Sequence, residues 1–225
     1  ALGYSNMGIV LSVIFLCHRE SRMIKSSKSY GAGSGRHLPP LLQAVRDLDY
    51  TVFEYGTYDL NIIGVRKEVR DNVFCDDLYV AYLYDSMWRI EFFECTTVPT
   101  VRYLLSPVNS KGAAVLVPGQ YSQCYRVGKH RGRDALVQAA PVYVARDDDR
   151  DPTAEIEGKH IEEGKFGINL HDWKGGEKSA SAGCQVLRDT EAMERILDLC
   201  QAQIDHQGWH SFTYTLIEEK DLRRS

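Results

Sequence analysis

With 225 residues, 44% of them hydrophobic and 26% charged, the chain can bury a substantial core, which excludes disordered and fibrous classes. A formal charge of −4 supplies no overall attraction to nucleic acid. The six cysteines, at 17, 75, 95, 124, 184 and 200, form no CxxC or CxxH pair, so zinc-ribbon and thioredoxin readings fail and mostly reduced, buried thiols are expected.

Taken in chain order, the apolar run Gly8 to Cys17 (GIVLSVIFLC) is about half of what a membrane-spanning helix needs. It lacks the basic flank and cleavage site of a signal peptide and reads as a buried strand or helix; no membrane span is expected. Arg19, Arg22, Lys25, Lys28 and Arg36 follow in a Ser/Gly-rich stretch, which reads as a solvated loop and not as a nucleic-acid site. The glycine-rich run Gly31 to Gly35 leads into Arg-His-Leu-Pro-Pro and lacks the Lys-Ser/Thr of a phosphate loop, so Ser26 to Pro40 is a linker. Leu41, Val45 and Leu48 then share one helical stripe behind Pro39 and Pro40. These features divide the chain into an N-terminal segment, 1–50, and a main domain, 51–225.

The main domain has the texture of short strands. Strand-like runs begin at Thr51 (TVFEYG), Asn61 (NIIGV), Leu78 (LYVAYLY) and Met87 (MWRIEFFEC), the last two joined by Asp85-Ser86 as a hairpin. Further runs begin at Ala113 (AAVLV), Ala135 (ALVQ), Pro141 (PVYVAR) and Phe166 (FGINLH), and a last one is SFTYTLIEE. One strong helix interrupts them, Thr190 to Gln207, with Gly208 as its stop. The expectation is a mainly β fold, a mostly antiparallel sandwich or barrel with one or two helices, α+β overall.

Chemistry concentrates between Gly167 and Val186 (GINLHDWKGGEKSASAGCQV). Strand alternation sets Ile168 and Leu170 on one face and Gly167, Asn169 and His171 on the other, giving a polar face that ends in an imidazole. Ser181-Ala182-Gly183 then places three small residues before Cys184, leaving room for a substrate carbonyl. A thiol with a reference pKa near 8.5 is only about 3% ionised at pH 7, so a neighbouring imidazole is needed to activate it. Thirteen positions separate His171 from Cys184, enough for two adjacent strands joined by a loop. Singly, each has a plain alternative: Cys184 as a small buried hydrophobe and His171 as a hydrogen-bonded strand histidine. Cys124, near Tyr121, Tyr125 and His130, is the rival thiol. Gln120, Tyr121 and His130, with Asn169 and Gln185, are expected to line a substrate wall, with surface packing as the alternative for the first three.

His171, Ser181, Gly183 and Cys184 occur in the order of the L,D-transpeptidase (YkuD-like) signature, a histidine, a loop and then Ser/Thr-His-Gly-Cys, and the stretch resembles that family. Ala182 stands where the family has a second histidine, and Gln185-Val186 where it has a hydrophobic residue followed by Arg or Asn. The resemblance implies a Cys184 nucleophile, a His171 base, backbone N–H groups around Gly183 and Cys184 for the oxyanion, and a peptidoglycan stem peptide as substrate. It leaves open transpeptidase, carboxypeptidase and lytic outcomes. A wider resemblance, carried by NIIGVR, PGQY, ALVQ, GINLH and SAGCQV, is to a largely uncharacterised group of tailed-phage and bacterial proteins. That group implies a cell-wall-directed or virion-associated protein, with other virion proteins as further partners. The second functional class is therefore a non-catalytic virion or wall-binding protein that keeps the fold.

No metal or cofactor is expected. Asp147, Asp148, Asp149 and Asp151 fail the calcium-loop template, because Pro152 and Gly158 occupy the turn-glycine and bidentate-glutamate positions. His130, His160 and His171 lack the spacing of a zinc hydrolase.

Overall fold

The computed structural model describes residues 38–68, 74–173, 175 and 181–223. The apolar run, the basic cluster and the glycine-rich joint of the first 37 residues lie outside these.

The described chain is mainly β. In order, the elements are α1 (Pro40–Asp47), β1 (Asn61–Arg66), β2 (Asp76–Tyr84), β3 (Met87–Thr96), α2 (Val101–Leu105), β4 (Ala113–Leu116), β5 (Gly119–His130) and β6 (Arg133–Gln138). Then follow β7 (Val142–Asp147), β8 (His160–Gly164), β9 (Leu170–Asp172), β10 (Gln185–Leu187), α3 (Thr190–Gln207), β11 (Phe212–Glu218) and a 3-10 turn, Glu219–Arg223. Eight strands close into a barrel in the order β1-β11-β5-β6-β9-β10-β3-β2, and β4-β7-β8 form a separate three-stranded sheet. Within the barrel, β1 runs parallel to β11 and β9 parallel to β10. Among the described residues no helix is long and apolar enough to cross a membrane.

β1 is buried along its whole length because both its faces are covered. Ile62 joins the main core, while Ile63 and Val65 join a second cluster with Leu42 and Val45 of α1, Trp88 and Ile217. Residues 38–50 thus pack on the barrel and belong to its body. α3 brings Met193, Ile196, Leu199 and Cys200 into the main core, starts beside β9 through a Thr190 Oγ1 hydrogen bond to Asp172 (2.8 Å), and ends at Gly208 in the left-handed region (φ 72°). The hairpin between β2 and β3 turns at Asp85 and Ser86 with φ of 51° and 59°, as a tight two-residue turn requires.

Three segments depart from expectation. TVFEYG is not a strand: the Asn61 side chain accepts from the Phe53 N–H (2.8 Å) and donates to its C=O (2.9 Å), taking a strand's place. FGINLH shortens to β9, and the N–H groups of residues 166–168 go instead to Gln138 Oε1. β5 is a long strand hidden in GQYSQCYRVGKH, whose alternation breaks at a bulge: Gln123 has φ 50°, and the register against β11 shifts between Phe212 and Tyr214.

The small sheet is bound together by Glu162 of β8, which accepts from Lys111 (2.6 Å) and from Arg146 of β7 (2.7 Å). These two cations lower the Glu162 carboxyl from 4.5 to about 2. Its stabilising contribution is therefore complete above the ordinary carboxylate value and disappears as pH falls toward 2. Glu162→Gln should lower the melting temperature at pH 7, with the gap to wild type narrowing as the pH is taken below 4.5. A gap that stays constant down the acid series, followed by circular dichroism, would contradict the assignment.

Candidate functional site

β9 and β10 pair in parallel with Leu170 opposite Gln185 and His171 opposite Val186. A parallel pair needs a crossover of a dozen or so residues, which the interval between His171 and Cys184 supplies. Cys184 immediately precedes β10, so its sulfur comes beside the end of β9. A ring nitrogen of His171, a ring nitrogen of His130 and Cys184 Sγ all lie within 4.8 Å of one another. His130 comes from the end of β5, and its ring stacks on that of His171 at 4.7 Å with 19° between planes.

The hydrogen bond at Nδ1 sets the tautomer of each neutral ring. His171 Nδ1 lies 2.8 Å from the Asp172 carbonyl oxygen, which can only accept, so Nδ1 carries the proton and Nε2 of the neutral ring is the basic nitrogen. For His130 the order is reversed. Asn169 Oδ1 accepts from the Gln138 N–H (2.9 Å), which turns Asn169 Nδ2 toward His130 Nδ1 at 2.9 Å. His130 Nδ1 therefore accepts, and the neutral ring holds its proton on Nε2.

Cys184 is half-buried and donates its thiol hydrogen to the Gly167 carbonyl (3.2 Å). Burial raises its pKa, against the opposing pull of the Asn169 backbone N–H, the Arg131 charge and its own N–H. Burial prevails, and the resting sulfur is a thiol. Attack on a carbonyl then requires the sulfur to leave Gly167 and give its proton to His171. Cys124, the rival, is buried, and loss of solvation pushes its thiol up to about 12, which makes it a packing residue. Cys95 and Cys200 are buried likewise.

The loop before the sulfur is held by short-range bonds. Ser181 Oγ donates to the Cys184 carbonyl (2.7 Å) and accepts from the Gly183 N–H (3.0 Å), so Ser181 shapes the loop and Gly183 lends its N–H to that shaping. Thr100 N–H holds the Ser181 carbonyl at 2.9 Å. Gly183 has φ 144°, and a Cβ there would sit 2.6 Å from the Ala114 carbonyl oxygen of β4, so only glycine fits.

The residues expected to form a substrate wall separate. His130 is at the site, and Asn169 is buried and positions it. Gln185 is fully buried, its amide bonded to the Tyr214 hydroxyl (3.0 Å) and the Gly183 carbonyl (3.3 Å), which corrects its reading as a substrate contact. Gln120 instead binds both backbone groups of Thr51, at 2.9 and 2.8 Å, and the buried Tyr121 donates to the Val117 carbonyl. Both are structural.

Two contributors were not legible as site residues. Arg131 occupies the two-residue turn between β5 and β6 (φ 50°), and the Arg-Gly step between two strand-like runs is its only sequence signal. Gln138, the last residue of β6, accepts from Phe166, Gly167 and Ile168 N–H groups (3.0, 2.8 and 2.9 Å) and donates to the Ala140 and Gly164 carbonyls. It holds in place the segment whose Gly167 carbonyl receives the thiol.

Two groups of side chains converge closely enough to be considered as cation ligands. The His130, His171 and Cys184 trio has atoms close enough for a cation, but the proton on His130 Nε2 leaves that nitrogen a donor while Asn169 occupies Nδ1. The trio in this arrangement fits proton transfer better than ligation. Asp149, Asp151 and Glu155 also converge, and Lys159 already lies among them, paired with Asp149, with Asp147 at 3.3 Å and with Glu155 at 3.7 Å.

No known protein family, curated protein or solved structure matches the chain.

Gln138→Leu, which orphans three N–H groups, should cost on the order of 2–3 kcal/mol in urea unfolding; an unchanged midpoint would remove Gln138 from this role. Because the Cys184 pKa is raised, its alkylation by iodoacetamide should rise with pH to a midpoint above the ordinary thiol value of about 8.5. A midpoint below that value, mapped by mass spectrometry, would show a preformed thiolate.

Proposed function

We propose that the chain is a cysteine-dependent acyltransferase or peptidase of the L,D-transpeptidase type that acts on peptidoglycan stem peptides. The observation that carries the reading is the convergence of Cys184 Sγ with the imidazole of His171, whose Nδ1 is tied to a backbone carbonyl. The substrate class is carried by the order His171, Ser181, Gly183, Cys184.

The chemistry runs in two halves. Cys184 Sγ forms a bond to the scissile carbonyl carbon as His171 Nε2 takes the thiol proton. The tetrahedral intermediate collapses, the C–N bond breaks, and the leaving amine takes that proton, leaving a thioester. An amine or water then gives a proton to His171 and attacks the thioester. The sulfur leaves and recovers the proton. An amine acceptor makes the enzyme a transpeptidase, and water makes it a carboxypeptidase or lytic enzyme.

The second reading is a non-catalytic virion or wall-binding protein, associated with a phage particle or directed at the cell wall. It is favoured by one observation, the burial that keeps Cys184 protonated at rest. Incubation with tetrapeptide stems separates the two. Wild type should release the terminal amino acid or exchange it for an added amine, and Cys184→Ala should lose this by at least about 10³-fold while keeping its circular dichroism spectrum. A carbapenem should leave a mass adduct on Cys184. Turnover by Cys184→Ala, or no turnover and no adduct in wild type, would defeat the enzymatic reading.

A further inference from the structure

A tetrahedral intermediate at Cys184 places negative charge on the former carbonyl oxygen, and donors aimed at that oxygen are usually the largest source of rate enhancement in acyl transfer. Of the backbone donors around the sulfur, two are already engaged. Gly183 N–H is bonded to Ser181 Oγ at 3.0 Å, and Gln185 N–H to the Asn169 carbonyl at 2.8 Å. A donor from another element would add to what the loop itself offers the oxyanion.

We infer that His130 supplies it: its Nε2–H, opposite an Nδ1 that accepts from Asn169, donates a hydrogen bond to the oxyanion, and His130 is a catalytic residue distinct from the His171 base. The inference rests on the cysteine-nucleophile reading above and adds to it a residue that lies forty-one positions before His171 in the chain. Three observations carry it. The relay from Gln138 N–H to Asn169 Oδ1 and from Asn169 Nδ2 to His130 Nδ1, at 2.9 Å each, leaves the proton of the neutral ring on Nε2. The stack on His171 at 4.7 Å keeps the two rings nearly parallel, with 19° between their planes, so neither donates into the other's face. Convergence within 4.8 Å puts a His130 ring nitrogen beside the same sulfur that attacks.

The two imidazoles thus have opposite tautomers and opposite tasks. His171, with Nδ1–H on a carbonyl, receives the thiol proton at Nε2. His130, with Nδ1 capped by Asn169, holds its Nε2 proton and donates a hydrogen bond without giving the proton up. As the S–C bond forms, the carbonyl π pair moves to oxygen and is met by that N–H; on collapse the pair returns and the amine departs.

The test compares two electrophiles on Cys184. p-Nitrophenyl acetate acylates through a tetrahedral oxyanion, whereas iodoacetamide alkylates by displacement and forms none. His130→Phe, which keeps an aromatic ring on His171, should slow acylation by about 10²-fold and leave alkylation within about twofold. His130→Gln, which restores an amide donor, should recover part of the acylation rate. In wild type, nitrogen-correlated NMR of the histidine rings should show His130 protonated on Nε2 and His171 on Nδ1, a readout that needs no variant to fold. Equal loss of acylation and alkylation in His130→Phe, or an Nδ1–H tautomer at His130, would overturn the inference while leaving Cys184 a nucleophile. Failure of wild-type Cys184 to be acylated at all, with alkylation intact, would overturn the nucleophile reading and this inference with it.

Discussion

A single carboxamide governs the geometry of the site. The barrel closes between β6 and β9 through one registered backbone pair, Leu136 with Leu170. What that ladder lacks, the side chain of Gln138 provides, with three accepted and two donated hydrogen bonds to the chain between Ala140 and Ile168. The backbone N–H of Gln138 orients Asn169, which in turn orients His130. The position of the thiol's hydrogen-bond acceptor, the tautomer of one histidine and the closure of the barrel thus depend on one residue at the end of a short strand.

The device recurs. Asn61 satisfies both backbone groups of Phe53, Gln120 those of Thr51, and Gln203 the N–H of Leu60 and the carbonyl of Ser211. A primary amide offers the same C=O and N–H as a peptide unit, so it can complete a sheet edge where no strand is present and leave no buried backbone group without a partner. In this protein it lets irregular segments pack against a closed barrel. The cost is specificity: a leucine of similar size would fill the volume of Gln138 and orphan three amides.

A second constraint acts inside the barrel. The Tyr214 ring lies where a Cβ on Gly64 would collide with its hydroxyl, and that hydroxyl donates to Gln185, whose amide reaches the Gly183 carbonyl. The barrel interior and the turn that leads into Cys184 are thereby one hydrogen-bonded unit. Gly183, pressed against β4, adds the small sheet to it. The site is thus tied to the barrel interior through Gln185 and to the small sheet through Gly183.

Where periodicity is strong and local, the sequence was sufficient: α3 with its glycine stop, the β2–β3 hairpin, the mainly β class, and the proximity of His171 and Cys184 all follow from neighbours within a few residues or from one motif. Tertiary structure decided what depends on distant partners. Phe53 and residues 166–168 have strand-like side chains but meet amide groups, not another strand, and β5 loses its alternation at the Gln123 bulge, so pattern and ladder disagree there. Gln120, Tyr121 and Gln185 are polar enough for a binding wall, and only the fold shows their hydrogen bonds already satisfied inside it. His130 was expected in a substrate wall, but its stack on His171 and its Asn169 partner were hidden for the same reason: a residue's chemistry is written in its type, but its tautomer and its neighbours are set by whichever strands the closing barrel brings against it.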